Sequence, residues 1–135
     1  MLTACSKNNL QQVRTCILRG ESPNTCNEEP YFEYGWPAIR YAALSGNKND
    51  SEEQHSLMIE NAKKIITLLL LSGADINYQD ADGVTTLMSV AQFKRRLPLV
   101  QFMMKNGADK KIKDKLGQTA YDYANTKEIK KILEN

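Results

Sequence analysis

The sequence contains few of the residues on which enzyme chemistry usually depends. It has one histidine, His55, and three cysteines, Cys5, Cys16 and Cys26, with no Cys-x-x-Cys pair. A catalytic triad or dyad would need His55, and a metal site needs several ligands at set spacings. We interpret His55 as a solvated helix residue. Cys5 and Cys16 lie among apolar positions, which favours small buried side chains. The sequence therefore predicts a non-catalytic protein with no cofactor and no metal.

Long apolar runs are also missing. The longest, at 65–71, is far shorter than the ~20 residues that span a membrane. The chain does not open with a basic stretch followed by an apolar run, which argues against a signal peptide. An odd number of cysteines without a Cys-x-x-Cys pair favours free thiols in a reducing compartment. We therefore expect a cytoplasmic protein that does not contact a membrane.

The excess of positive charge is small but unevenly distributed. Residues 1–60 hold five Lys/Arg and eight Asp/Glu, whereas residues 61–135 hold thirteen and eight. This asymmetry indicates two electrostatic ends rather than a nucleic-acid-binding protein. The basic run at 94–96 is too short for the broad basic stripe that nucleic acids require. We expect no nucleic-acid partner.

What the sequence does contain is an internal repeat with a period of 34 residues. The segment SGADINYQDADGVTTLMSVA at 72–91 is matched by NGADKKIKDKLGQTAYDYAN at 106–125. Fainter copies lie upstream, as RGESPN at 19–24 and GWPAIRYAA at 35–43. Because such periods are typical of repeat architectures, the repeat predicts the fold of most of the chain.

Each repeat carries signals for two helices and a turn. The glycine after an apolar run ends a helix, and Asp80 with Gly83 is typical of a turn. Thr85 and Thr119 are placed to cap new helices. Helical spacing predicts three apolar faces, made of Val13, Ile17 and Leu18; of Met58, Ala62, Ile65, Ile66 and Leu69; and of Leu99, Val100, Met103 and Met104. Pro98 fits the first turn of the last of these helices.

This pattern resembles the ankyrin repeat, with its signature G-x-T-P-L-H-x-A-A and a later L-L-x-x-G-A-D-x-N. The match is specific in LLLLSGADINYQDADGVTTL at 68–87. The resemblance implies an all-α solenoid of four stacked helix-turn-helix repeats in one domain. The expected repeats are 1–24, 25–77, 78–111 and 112–135, with polar caps that suggest a complete stand-alone protein. The signature histidine is replaced by Arg40, Met88 or Asp122, so we expect lower stability than in an idealised array.

The second repeat contains two insertions. Its preceding hairpin is about five residues longer than the next one, and NEEPYFEYG at 27–35 fills it. About fourteen further residues lie between its two helices. Asp50 and Ser51 are both candidate N-caps, and Gln54, three residues after Ser51, forms a capping-box pattern with it; from there the spacing predicts one long helix to Leu71. The aromatic finger, defined as Tyr31, Phe32 and Tyr34, either contacts a partner or packs against its own repeat.

The resemblance implies a protein-binding module that uses hairpin tips and the first helix of each repeat. Carried over by position, the expected partner-binding residues are Tyr31, Phe32, Tyr34, Trp36, Arg40, Tyr41, Leu44, Tyr78, Gln79, Ala81, Asp82, Val84, Phe93, Lys115, Leu116 and Gln118. The partner is expected to be another protein, bound by a monomer of this chain. An alternative is a dedicated inhibitor or immunity protein that neutralises a toxin or effector enzyme.

Overall fold

A computed structural model describes residues 1–24 and 35–134, and these residues form helices and no strand. The α-helices are α1 Leu2–Ser6, α2 Leu10–Leu18, α3 Ala38–Leu44, α4 Glu52–Leu71, α5 Thr86–Ala91, α6 Leu97–Lys105, α7 Ala120–Tyr123 and α8 Lys127–Leu133, with a 3-10 helix at Lys94–Arg96. The all-α prediction is therefore confirmed. Two compact units divide the chain, an N-terminal unit, Met1–Asp75, and a C-terminal unit, Ile76–Asn135.

In the N-terminal unit, α3 packs against α1 and α4, and α2 packs against α1 and α4. The predicted face of α4 is buried, and Ile65, Ile66 and Leu69 are fully inaccessible. Asn24 ties the end of the first repeat to the turn that follows α4. Its Nδ2 donates to the Gly73 carbonyl at 3.1 Å, and its Oδ1 accepts from the Asp75 N–H at 3.0 Å.

The long helix α4 begins where the capping box predicts. The Ser51 Oγ accepts from the Gln54 N–H at 3.2 Å, and the Gln54 Oε1 accepts from the Ser51 N–H at 2.9 Å. The helix has 20 residues, against 9 in α6, so the second insertion has lengthened a helix. Its added part is held by Asn8, whose Nδ2 donates to the Met58 carbonyl at 3.0 Å.

In the C-terminal unit, α5 packs against α6 and α7, and α8 packs against α6 and α7. Leu99, Val100 and Met103 form the buried face of α6, as predicted. Pro98 lies in the first turn of that helix, also as predicted. Asn77 repeats the role of Asn24: its Nδ2 donates to the Gly107 carbonyl at 3.2 Å and its Oδ1 accepts from the Asp109 N–H at 2.8 Å.

Arg40, Met88 and Asp122 occupy the signature histidine position, and each is matched in a different way to the backbone three residues before it. Met88 accepts the Thr85 N–H on its sulfur at 3.4 Å. Asp122 accepts the N–H of the equivalent threonine at 2.7 Å and its hydroxyl at 2.9 Å. Arg40 has no acceptor atom, but the residue three positions before it is Pro37, which has no N–H to donate. Each helix start therefore pairs a donor with an acceptor or lacks both.

Two interpretations of buried and exposed residues were wrong. His55 is only 8% exposed, because positions 55, 58, 59 and 62 continue one buried face of α4. Leu18 is 87% exposed, because it lies about 140° around the helix from Val13. Cys5 is buried as predicted, and burial raises the pKa of its thiol to about 12. Cys16 is only half-buried, and Cys26 lies outside the described residues.

Candidate functional site

The first hairpin tip of the C-terminal unit is a turn closed by an aspartate. The Asp80 N–H donates to the Val84 carbonyl at 3.1 Å, and the Gly83 N–H donates back to the Asp80 carbonyl at 2.9 Å. The Asp80 Oδ1 accepts from the N–H groups of Asp82 and Val84, both at 2.9 Å. The backbone of this tip is therefore satisfied internally, which leaves its side chains available for other contacts.

The second tip, 34 residues later, has the same construction and one added contact. The Asp114 Oδ1 accepts from the N–H groups of Leu116 at 2.9 Å and Gln118 at 2.8 Å. The Tyr123 hydroxyl donates to the Asp114 Oδ2 at 2.7 Å. Burial opposes ionisation of Asp114, but these hydrogen bonds hold its pKa below the usual range. Burial, and then the hydrogen bond to Asp114, raises the pKa of Tyr123 to about 12. Sequence reasoning missed Tyr123, because no regular spacing links it to Asp114.

The two tips are joined to each other. The Lys115 N–H donates to the Asp82 carbonyl at 3.0 Å. The Gln79 Nε2 donates to the carbonyls of Gly83 at 2.7 Å and Lys113 at 3.0 Å, so one side chain bridges both hairpins. Because these three bonds are made within one compact unit, the tips form a single platform with a fixed backbone.

The platform presents a set of exposed side chains, which we call the tip surface: Gln79, Ala81, Asp82, Lys115, Leu116 and Gln118. Leu116 is 84% exposed, whereas Tyr78 and Val84 are half-buried beside the tips. Asp82 and Lys115 supply one charge of each sign. The tip surface thus combines an accessible apolar side chain with hydrogen-bonding and charged groups, which is the composition of a protein-binding rim around an anchor.

The first helix of the third repeat contributes nothing to such a surface. Every residue of α5 is buried. Phe93, just beyond its end, is 46% exposed and does not lie on a hairpin tip. The predicted contact residues of the C-terminal unit therefore divide into the tip surface, the half-buried Tyr78 and Val84, and Phe93.

In the N-terminal unit the predicted residues form an aromatic cluster. The rings of Trp36 and Tyr41 lie 5.8 Å apart between centroids, tilted by 57°. The Arg40 Cζ lies 5.3 Å from the centroid of the Trp36 ring, close enough for a cation–π contact. Trp36, Tyr41 and Leu44 are half-buried.

Burial corrects the assignment of Arg40. Its side chain is only 1% exposed, so it has no surface to offer a partner and instead supports the Trp36 ring from within. The aromatic finger, Tyr31, Phe32 and Tyr34, lies outside the described residues.

Metal-binding clusters and membrane-spanning helices are both absent from the part of the chain that the structure describes. It holds no group of three or more His, Cys, Asp or Glu side chains arranged to bind a metal ion. In the same residues, no helix has the length and apolar character needed to cross a membrane.

Comparison with known proteins identifies the repeat. Residues 69–124 match the family model of ankyrin repeats in many copies. Protein lin-12 of Caenorhabditis elegans is 36% identical over 78 residues, which is 58% of this chain but 5% of that protein. The crystal structure of the ankyrin repeat domain of Bcl-3, a member of the IkappaB protein family, superposes with a TM-score of 0.73 at 23% identity, over 98% of this chain and 49% of that one. The chain thus spans less than half the length of either of these proteins; its residues 69–124 match ankyrin repeats, and its fold is that of an ankyrin-repeat domain.

Proposed function

We propose that this chain is a binding module that contacts a partner protein through the tip surface of its C-terminal unit. Ankyrin repeats are generally protein–protein interaction modules. The observation that carries the proposal is the bridging of the two tips by Lys115, Asp82 and Gln79. A loop that is ordered before binding loses less conformational entropy on association. The tip surface is therefore suited to bind without rearrangement of its backbone.

Leu116 is the anchor of the proposed surface. It is 84% exposed at the centre of the second turn, and the Asp114 carboxylate holds its N–H in place. Because its side chain is so exposed, full burial of Leu116 in an apolar pocket of a partner would contribute about 1.5–3 kcal/mol. Gln118, Gln79 and the Asp82–Lys115 charges would contribute hydrogen bonds and orientation at its rim.

The Trp36–Tyr41 cluster is proposed as a second contact region. Interface hot spots are enriched in Trp, Tyr and Arg, and Trp36 remains half-exposed while Arg40 supports its ring. Replacing Trp36 by alanine should then weaken partner binding by ~2 kcal/mol or more. Partner contact by the aromatic finger, and the narrower role of an inhibitor of a toxin or effector enzyme, stay predictions from the sequence.

A matched pair of leucines tests the tip surface. The immobilised chain would capture its partner from extracts of the source organism, and the partner, identified by mass spectrometry, would be titrated by calorimetry against three forms: wild type, Leu116→Ala and Leu71→Ala. Leu116 and Leu71 are almost equally exposed, at 84% and 82%, so neither change should unfold the chain. We expect roughly tenfold or greater weakening for Leu116→Ala, which corresponds to ~1.4 kcal/mol.

Leu71→Ala should leave the affinity within about twofold of wild type, since Leu71 ends α4 and lies on no tip. Equal affinities of Leu116→Ala and wild type for the partner would show that the tip surface is not part of the interface. Equal weakening by both substitutions would show that exposed leucines act nonspecifically.

A further inference from the structure

The last repeat ends on a cleft of about 410 Å³, which we call the end cleft. Its lining includes Lys110, Lys111, Lys113, Tyr121, Leu133 and Glu134. Leu133 is 3% exposed and forms part of the floor, whereas Lys111 and Lys113 are exposed. The end cleft lies within the C-terminal unit and has no lining residue in common with the tip surface.

The repeat register shows what this face does elsewhere in the chain. Thirty-four residues earlier, the equivalent positions bind the repeat that follows. Asn77 holds the backbone of Gly107 and Asp109 through two hydrogen bonds. Ile76 and Leu87 are 8% and 1% exposed, because the following hairpin and helix cover them. This face of a repeat is therefore a docking face.

In the last repeat the docking face has become cationic. Three lysines stand where the preceding repeat has isoleucine, asparagine and glutamine, and Tyr121 stands in place of leucine. Among the residues that the structure describes, no carboxylate forms an ion pair with Lys110, Lys111 or Lys113. The Lys110 Nζ donates instead to the backbone carbonyl of Glu134.

Solubility alone requires a polar face here, but polarity does not require three cations along one hairpin. Like charges held at one cleft repel each other, and an anionic ligand would offset that repulsion. At this face Lys110 and Tyr121 stand in place of Ile76 and Leu87, the apolar side chains that are buried in the preceding repeat. With three lysines against the one carboxylate of Glu134 in its lining, the electrostatics of the cleft favour an acidic occupant.

The side chains that line the cleft further restrict the ligands that can fit it. Tyr121 is 36% exposed, and the Lys130 Nζ lies 5.2 Å from the centroid of its ring. The tyrosine thus presents an aromatic surface flanked by a fourth cation, in a cleft that Leu133 also lines. A ligand that fits must carry carboxylates around an apolar side chain. A nucleic acid would need a broader basic stripe than this cleft provides.

We propose that the end cleft binds an acidic segment of a partner protein, as an extended peptide whose carboxylates meet Lys110, Lys111 and Lys113 while an apolar side chain packs on Tyr121. The end cleft adjoins the tip surface, since Gln79 donates to the Lys113 carbonyl, but the two share no lining residue, and the Leu116→Ala variant separates them. That variant should bind an acidic peptide with unchanged affinity even where it no longer binds the partner of the tip surface.

Fluorescence anisotropy on the full chain tests the proposal. The probes are a short labelled peptide that alternates glutamate and leucine, its analogue with glutamine in place of glutamate, and a labelled single-stranded oligonucleotide. The test variant is Lys111→Glu with Lys113→Glu. The matched control is Lys105→Glu with Lys127→Glu, which makes the same change of charge in the same unit at exposed positions outside the cleft.

We expect the wild-type chain to bind the acidic peptide with a dissociation constant of ~1 mM or tighter, and more weakly as salt is added. The affinity of the cleft variant for the acidic peptide should fall about tenfold or more, and that of the control variant less than about threefold. Amide NMR shifts on titration should centre on residues 110–113, 121 and 133–134. The proposal would be overturned if the neutral analogue bound as tightly as the acidic peptide, or if both variants lost the same affinity. It would also be overturned if the oligonucleotide bound more tightly, or if a folded wild-type chain bound no acidic peptide.

Discussion

Two glycines at equivalent repeat positions provide a controlled test of the joined tips. Gly83 and Gly117 both have φ of 79°, a conformation that costs an alanine about 1–2 kcal/mol. A Cβ added at Gly83 would lie 3.1 Å from the Asp114 Cα and from the Lys115 nitrogen. A Cβ added at Gly117 would meet nothing within 4 Å. The two Gly→Ala variants therefore share one cost, and only Gly83→Ala adds a contact with a neighbouring backbone that is closer than ordinary van der Waals contact.

Overpacking of this kind costs typically about 1–3 kcal/mol. Gly83→Ala should thus lower the free energy of unfolding by that much more than Gly117→Ala. For a chain of this length the gap corresponds to roughly 3–5 °C in melting temperature for each kcal/mol. Urea unfolding followed by circular dichroism measures the difference. Hydrogen exchange at the Lys115 amide should accelerate in Gly83→Ala, because its bond to the Asp82 carbonyl is displaced.

Equal destabilisation of the two variants, or a larger effect at Gly117, would contradict this expectation. Either result would mean that the second tip moves away from the first at little cost. The platform would then be too loose to count as ordered before binding, and the proposed function would lose its main support.

Two further predictions concern Tyr123 and the start of α4. The raised pKa of Tyr123, from 10.0 to about 12, means that the unfolded chain loses this proton first, so stability should fall as pH rises from 10 through 12. In denaturant titrations across that range, the fall should be shallower in Tyr123→Phe; the same slope in both proteins would contradict the assignment. Ser51→Ala removes the N-cap of α4 and should cost about 1 kcal/mol in urea unfolding. Ser56→Ala, an exposed change inside the same helix, serves as the control and should cost less, and equal losses would deny Ser51 its capping role.

The local signals in the sequence were sufficient to predict the helices. Ser51 and Thr85 cap as their spacing requires, and the apolar faces of α4 and α6 are buried as predicted. These features depend on neighbours within four residues, which a periodic pattern records. His55 was misjudged because its burial depends on how far the face of α4 continues into the insertion.

The candidate site was less accessible to sequence reasoning. Repeat register placed Leu116 and Gln118 at a tip, but it could not reveal that Gln79 bridges two hairpins or that Tyr123 braces one of them. Such contacts join residues 9 and 34 positions apart through geometry that no local period encodes. Arg40 was predicted to contact a partner because it lies on the first helix of its repeat, whereas its side chain is 1% exposed and lies against the Trp36 ring.

The lengthened helix α4 has a practical consequence for engineering. Extra residues have entered the connection between α3 and α4 and extended a helix, and the core around Ile65 and Leu69 remains closed. The connection is exposed from Gly46 to Asn49, and the Asp50 carboxylate accepts the Asn47 N–H at 2.8 Å just before the capped helix begins. Exposed connections of this kind are where inserted domains succeed most often. A fluorescent reporter spliced between Lys48 and Asn49 should therefore leave the buried core of the N-terminal unit intact.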